Sequence, residues 1–122
     1  IEDNFKRAIT LKSTVEANLQ LANLYYSKTY ELQEQVAKIK GTKAEEVKLK
    51  NELNASVKST MAATIPYAEV AVKLLAAYTE YKFADKTNYK LALEILSHAY
   101  KMANNAAKVA EIEKKRVEVE KL

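Results

Sequence analysis

The sequence predicts an all-α protein of about five helices that pack as antiparallel hairpins. The 122 residues include one glycine and one proline, so the chain has few of the residues that form tight turns between strands. Alanine, leucine, lysine and glutamate, which favour helices, dominate instead. Apolar residues recur at spacings of three and four, which places them on one side of each helix. This length indicates one domain.

The first helix is predicted over residues 2–11, where the apolar residues Phe5, Ala8, Ile9 and Leu11 share one side. It is too short to be stable alone, so it must pack against a neighbour. A second helix is predicted from residues 13–14, which offer an N-cap, to about residue 39. Its apolar stripe contains Leu21, Leu24, Tyr25, Leu32 and Val36.

The connection to the third helix is predicted at residues 40–42. Gly41 is the expected left-handed C-cap, and Thr42 is the expected N-cap, with Glu45 three residues later completing a capping box. The third helix is predicted over residues 43–78. Its polar first part suits an exposed, projecting hairpin with an apolar seam. The seam residues are Val47, Leu49, Leu53 and Val57.

Pro66 lies inside this third pattern and removes one backbone donor, so it either kinks the helix or starts a new one. A loop is predicted over residues 79–87, with Asp85 or Thr87 capping a fourth helix that ends near residue 103. Asn104 and the asparagine after it make a tight connection, because Asn tolerates a positive φ. A fifth helix is predicted from Ala106 to the end.

Composition argues against several classes of function. The chain has no cysteine and one histidine, His98, so it offers no thiolate site and no pair of histidines for a metal. Its single glycine leaves no glycine-rich phosphate loop. The longest apolar stretch, residues 61–78, is interrupted by Pro66, Glu69 and Lys73, so no membrane span is expected. We therefore expect no catalytic activity, cofactor, metal or small-molecule substrate.

The net charge of +4 comes from 20 basic residues and 16 acidic ones that are interleaved along most of the chain. A nucleic-acid-binding protein would be expected to cluster its basic residues. A solvated helical surface is therefore the prediction, with a basic-surface binder of nucleic acid or another anionic partner as the alternative. The sequence begins Ile1-Glu2-Asp3, without Met, and a piece of a longer protein is expected; the cellular compartment stays open.

A small/aromatic pattern occurs twice, once near each end of the chain. Each copy has a Leu, then a small residue, then a Tyr three positions after the small one, all on one helical face. The small residue lets a second helix approach closely, as in helical-hairpin repeats. The positions are Leu21, Ala22 and Tyr25 in the first copy and Leu96, Ser97 and Tyr100 in the second.

These triplets resemble helix A of the tetratricopeptide repeat (TPR) family. Residues 4–12, with Phe5 and Ala8, look like the end of a preceding helix B. Residues 65–71 look like the helix B of a lengthened hairpin, similar to the C-terminal repeats of bacterial TPR proteins. The helix B of the last repeat is matched by Ala107, Ala110 and Ile112. The chain departs from the family pattern at Ser13, Asn18 and Asn104.

The resemblance implies a single TPR-like domain over residues 1–122, stacked as a short right-handed superhelix. Residues 1–12 would be a helix B remnant, 14–79 an extended hairpin repeat and 87–122 the terminal repeat. It also implies a non-catalytic scaffold that holds a peptide or helix of a partner protein in the concave groove lined by the A helices.

The groove positions of the family map onto eight residues here. Asn23 occupies a position that carboxylate-binding TPR domains fill with Asn, but Leu19 stands where those domains carry Lys, so a full carboxylate clamp is not expected. The alternative is that these residues are ordinary surface, or face neighbouring repeats. The eight are Leu19, Asn23, Tyr26, Ser27, Glu94, His98, Lys101 and Met102.

Overall fold

A computed structural model describes residues 2–4, 6 and 14–122, and it confirms an all-α fold with no strand among them. Residues 2–4 and Lys6 are helical and precede four longer helices. Phe5, Ala8, Ile9, Leu11 and Ser13 lie outside the described residues. The longer helices are α1 (Val15–Lys38), α2 (Ala44–Ala76), α3 (Phe83–Met102) and α4 (Ala106–Glu120).

The helices pack in series. Helix α2 lies along both α1 and α3, and α4 lies along α3. Helix α1 also touches α3, whereas the described part of α4 touches neither α1 nor α2. The connections at residues 39–43, 77–82 and 103–105 are short, so neighbouring helices run antiparallel. The result is an open stack of two hairpins, α1/α2 and α3/α4, and its last helix has one packed side.

Fully buried alanines lie where the helices meet. Ala22 on α1, Ala71 on α2 and Ala92 on α3 have no exposed surface and belong to one hydrophobic core. A methyl side chain lets two helix backbones approach more closely than a Leu does. Larger residues, including Leu75, Leu93 and Leu96, fill the space between these points of close approach.

Buried polar side chains are each satisfied by a nearby group. Thr29 Oγ1 donates to the Tyr25 carbonyl at 3.0 Å, and Ser97 Oγ donates to the Glu113 carboxylate at 2.6 Å. No buried side-chain nitrogen or oxygen in the described part of the chain lacks a partner. The core therefore contains polar residues without the penalty of an unpaired buried group.

The first described residues are attached to α1 by charge. The Tyr25 hydroxyl donates to the Glu2 carboxylate, and Lys28 Nζ lies 3.1 Å from its other oxygen. The bond from Tyr25, followed by those from Lys28 and Lys6, lowers the pKa of Glu2 to about 2. This contact agrees with the expectation that the first helix packs against a neighbour.

Helix α1 begins as predicted and ends differently. Thr14 is the N-cap, and its Oγ1 accepts from the Ala17 amide at 3.1 Å. Gly41 has no positive φ, so the predicted left-handed C-cap is wrong; Ile39 ends the helix in an extended conformation. The carboxylate end of the Glu46 side chain lies beside Gly41.

The N-cap of helix α2 lies one residue later than predicted. Its N-cap is Lys43, which makes no side-chain capping bond, so the predicted capping box at Thr42 is wrong. Pro66 lies inside one continuous helix of 33 residues, which answers whether it separates two helices. Of the residues predicted to form the apolar seam of this helix, Val57 is buried, whereas Val47, nearer the start of the helix, is exposed. The seam is therefore covered only along part of the helix.

The second hairpin has a shorter entry loop than predicted, because α3 begins at Phe83. Its N-cap is Lys82, so the predicted cap at Asp85 or Thr87 is wrong; the carboxylate of Asp85, in the first turn, accepts from the Lys82 amide at 2.9 Å. Thr87 lies within the helix, and its hydroxyl donates to the Phe83 carbonyl. The connection to α4 is as predicted, with Asn104 at φ 57°. No helix described here has the length and apolar character of a membrane span.

Leu93 tests the position of the core. It is 0 % exposed, whereas Leu49 on the projecting part of α2 is 49 % exposed. We expect Leu93→Ala to lower the free energy of unfolding by about 2–5 kcal/mol, because it leaves a cavity in the core. Leu49→Ala should change it by less than about 0.5 kcal/mol. Urea denaturation followed by circular dichroism measures both, and equal effects would contradict the described core.

Asn104 tests the turn between α3 and α4. Asn104→Gly should leave the free energy of unfolding nearly unchanged, because glycine adopts φ 57° without strain. Asn104→Val should lower it by about 1–2 kcal/mol, because a β-branched residue is strained at positive φ. Thermal and urea denaturation of the two variants provide the comparison, and a valine variant as stable as the glycine variant would contradict the turn.

Candidate functional site

Three side chains from two helices meet on the face where α1 touches α3. Tyr26 and Tyr30 lie one turn apart on α1, and their hydroxyl oxygens are 2.9 Å apart. His98 comes from α3, and its Nδ1 lies 3.1 Å from the Tyr26 hydroxyl and 3.4 Å from the Tyr30 hydroxyl. We call these three residues the tyrosine–histidine cluster. Their polar atoms converge on one point across 72 residues of sequence.

The Tyr26 ring stands nearly perpendicular to each of the other two rings of the cluster. Tyr26 and Tyr30 have centroids 5.0 Å apart at 82°, and Tyr26 and His98 have centroids 5.8 Å apart at 80°. Tyr26 is half-buried and packs against the hydrophobic core, whereas Tyr30 is 44 % exposed. The cluster is therefore fixed at its base and open to solvent at its outer edge.

One acidic residue accompanies the cluster without a cation of its own. Glu94 lies one turn before His98 on α3, is exposed, and forms no ion pair within the described residues. Lys101, on the same helix, and Lys28, on α1, form ion pairs with other acidic residues. Lys101 lies 4.0 Å from the Glu113 carboxylate, and Lys28 contacts Glu2.

The surroundings of Tyr26 hold its hydroxyl in the neutral form. Burial is the main cause that raises the pKa of Tyr26, and the hydrogen bond with Tyr30 and the negative charge of Glu94 raise it further. Tyr26 is therefore a hydrogen-bonding and packing group at neutral pH. The same conditions make it a poor source of phenolate for nucleophilic or general-base chemistry.

The structure brings together three of the eight predicted groove residues: Tyr26, Glu94 and His98. Asn23 and Ser27 lie on the exposed surface of α1. They are close in sequence to the cluster but make no side-chain hydrogen bond, ion pair or ring contact within the described residues.

The other three predicted residues lie elsewhere. Leu19 is 6 % exposed and belongs to the core, so we do not include it in the site. Lys101 faces α4, where it pairs with Glu113 and borders an open depression of about 430 Å³. Met102 lines a separate depression of about 310 Å³ beside Met61 of α2.

Tyr30 is the member of the site that the sequence analysis did not select. Its position four residues after Tyr26 places both on one helical face, and this spacing was a usable signal. The other tyrosines serve mainly in packing. Tyr89 and Tyr100 are buried, and Tyr25 stacks on Tyr67 with centroids 6.0 Å apart.

A metal centre of the usual kind has no basis in the described residues, because no three His, Cys, Asp or Glu side chains are grouped to hold an ion. No protein-family model, curated protein or solved structure matches the chain. The resemblance to TPR proteins therefore stays a prediction from the sequence.

The raised pKa of Tyr26 leads to a prediction about the free energy of unfolding at alkaline pH. Its folded-state pKa lies above the ordinary value of 10.0, so above pH 10 the unfolded chain releases this proton more readily than the folded one. The contribution of the neutral Tyr26 hydroxyl to the free energy of unfolding is therefore fully present below pH 10 and is lost as the pH rises further. Tyr26→Phe should therefore show a shallower fall in the free energy of unfolding above pH 10 than the wild type.

The matched control for this comparison is Phe83→Ala, which removes a ring that is 86 % exposed and changes no ionisable group. Its stability curve should run parallel to that of the wild type. Urea denaturation at a series of pH values measures all three proteins. Parallel curves for Tyr26→Phe and the wild type would contradict the environment described for Tyr26.

Proposed function

We propose that this protein is a non-catalytic interaction module that binds a peptide segment or helix of a partner protein across the α1/α3 face. The observation that carries the proposal is the tyrosine–histidine cluster, in which two helices together present aromatic and hydrogen-bonding groups to solvent. Tyrosine is enriched among the residues that dominate binding energy at protein interfaces.

The rigidity of the cluster favours binding. Tyr26 is packed on the core and hydrogen-bonded to both of its neighbours, so it is already ordered before a partner arrives. Ordering side chains on association is unfavourable, and groups that are fixed in advance avoid part of that loss. Tyr30 remains accessible to contact a partner and is held in place by Tyr26.

We further propose that the two hairpins are TPR-like repeats of a right-handed superhelix, with α1 and α3 as the A helices. Two contacts support this arrangement. Helix α1 touches α3 directly, as consecutive A helices would, and α2 packs against both of them. The described part of α4 contacts α3 alone, which is expected of the second helix in a terminal repeat.

The charge distribution favours a protein partner over nucleic acid. Several cations are engaged with acids on the same surface: Lys108 and Lys115 both contact Glu111, and Arg116 Nη1 lies 3.1 Å from Glu113. A phosphate backbone would have to compete with these carboxylates. Cations paired in this way offer less positive charge to a phosphate backbone, so a steep dependence of affinity on salt is not expected at this surface.

A peptide-display selection against the folded domain tests the proposal. Selected peptides should bind the wild type and lose about five- to thirtyfold in affinity on Tyr30→Ala or His98→Ala, since single interface anchors contribute on the order of 1–2 kcal/mol. Phe83→Ala, which removes an exposed ring outside the cluster, is the matched control and should bind as the wild type does.

Two outcomes would contradict the proposal. Selected peptides could bind all three variants equally, which would place the binding surface away from the cluster. Alternatively, no peptide is enriched while DNA or RNA oligonucleotides bind with affinity that falls steeply with salt, which would favour the basic-surface alternative. Circular dichroism of each variant establishes that the fold is retained.

A further inference from the structure

We propose that the tyrosine–histidine cluster and Glu94 form a receptor for an arginine side chain of the partner peptide. This inference rests on the proposed function and names the chemistry of the partner at that site. It is carried by three aromatic rings that meet across α1 and α3 and by the exposed carboxylate of Glu94, which lies one turn before His98 and has no ion pair within the described chain.

Glu94 forms no ion pair within the described residues, and two of the three cations near it are held by Glu113. Arg116 lines the same shallow surface as Glu94 but donates to Glu113 at 3.1 Å. Lys101 also pairs with Glu113. Lys90, one turn before Glu94 on α3, is exposed and makes no ion pair with it. An incoming cation would therefore compete with Lys90 for the Glu94 carboxylate, and it would have no existing ion pair within the described chain to displace.

The rings provide the second half of the receptor. A cation is attracted to the face of a tyrosine ring, and arginine combines this attraction with flat stacking. Tyr30 packs edge-to-face with Tyr26 and is 44 % exposed, so part of its ring is accessible to a cation from solvent. The hydroxyl oxygens of both tyrosines lie 2.9 Å apart, and a phenolic oxygen can also accept a hydrogen bond from a guanidinium group.

Arginine fits this set of groups better than lysine. Its guanidinium offers five N–H donors in a plane, so one group can stack on a ring, donate to a tyrosine hydroxyl and approach the Glu94 carboxylate. An ammonium group is a compact, strongly hydrated charge that stacks less well. The expected order of affinity is therefore arginine, lysine, then neutral and acidic side chains.

The test is an NMR titration of the folded domain with blocked pentapeptides in which a central arginine is flanked by glycines. The same peptide with citrulline, the neutral isostere of arginine, is the ligand control. The arginine peptide should shift the ring resonances of Tyr26, Tyr30 and His98. Its affinity should exceed that of the citrulline peptide by about threefold or more, in keeping with an exposed cation–π contact plus one ion pair.

Two protein variants complete the design. Glu94→Gln keeps the shape of the side chain and removes its charge, so it should reduce the affinity for the arginine peptide and leave only the cation–π contribution above the citrulline peptide. Glu111→Gln removes an exposed carboxylate on α4 that already pairs with Lys108 and Lys115, and it should leave the affinity unchanged. Equal affinity for the two peptides, or equal loss in both variants, would overturn the proposal.

The experiments distinguish failure of the arginine receptor from failure of the proposed interaction module. If display-selected peptides depend on Tyr30 and His98 but carry no arginine and ignore Glu94→Gln, the interaction module stands and the arginine receptor is wrong. If no peptide of any kind depends on the cluster, both are wrong. Resonance shifts confined to other parts of the domain would likewise overturn the arginine receptor.

Discussion

The packing of α2 against both α1 and α3 is the contact on which the rest of the structure depends. Fully buried alanines on all three helices permit the close approach, and Leu75 and Leu93 fill the remaining core. Because α2 holds its two neighbours at once, α1 and α3 come to lie side by side. Residues 72 apart in sequence thereby meet as Tyr26 and His98, and neither helix alone could form that pair.

Most of the fold could be predicted because it is encoded locally. Apolar spacing defines each helix. Thr14 caps α1 with its own side chain, and Asn104 forms the turn before α4 by adopting a positive φ. The prediction failed at the ends of helices. Gly41 was expected to end a helix with a positive φ, but the chain is already extended at Ile39, two residues earlier. Apolar spacing defines the body of a helix and does not define the residue at which it ends.

The site was predictable in part, for a related reason. Helical register indicates which side of α3 carries Glu94 and His98, but it does not indicate how closely that side meets α1. Leu19 was selected on register and is instead covered by the core, while Lys101 is drawn to the acid on α4. A face defined by sequence spacing becomes a site only where the neighbouring helix leaves it open. Whether a neighbouring helix covers a face depends on tertiary packing, which helical register does not describe. In this structure the tyrosine–histidine cluster stays exposed at Tyr30.

The side-by-side placement of α1 and α3 is the central claim, and nuclear Overhauser contacts measure it most directly. In a spectrum of the isotope-labelled domain, protons of the Tyr26 ring should show cross-peaks to the His98 ring, in keeping with centroids 5.8 Å apart. Cross-peaks from Tyr26 that are confined to residues of α1, in a domain that is otherwise folded and helical, would contradict the claim and remove the basis of the site.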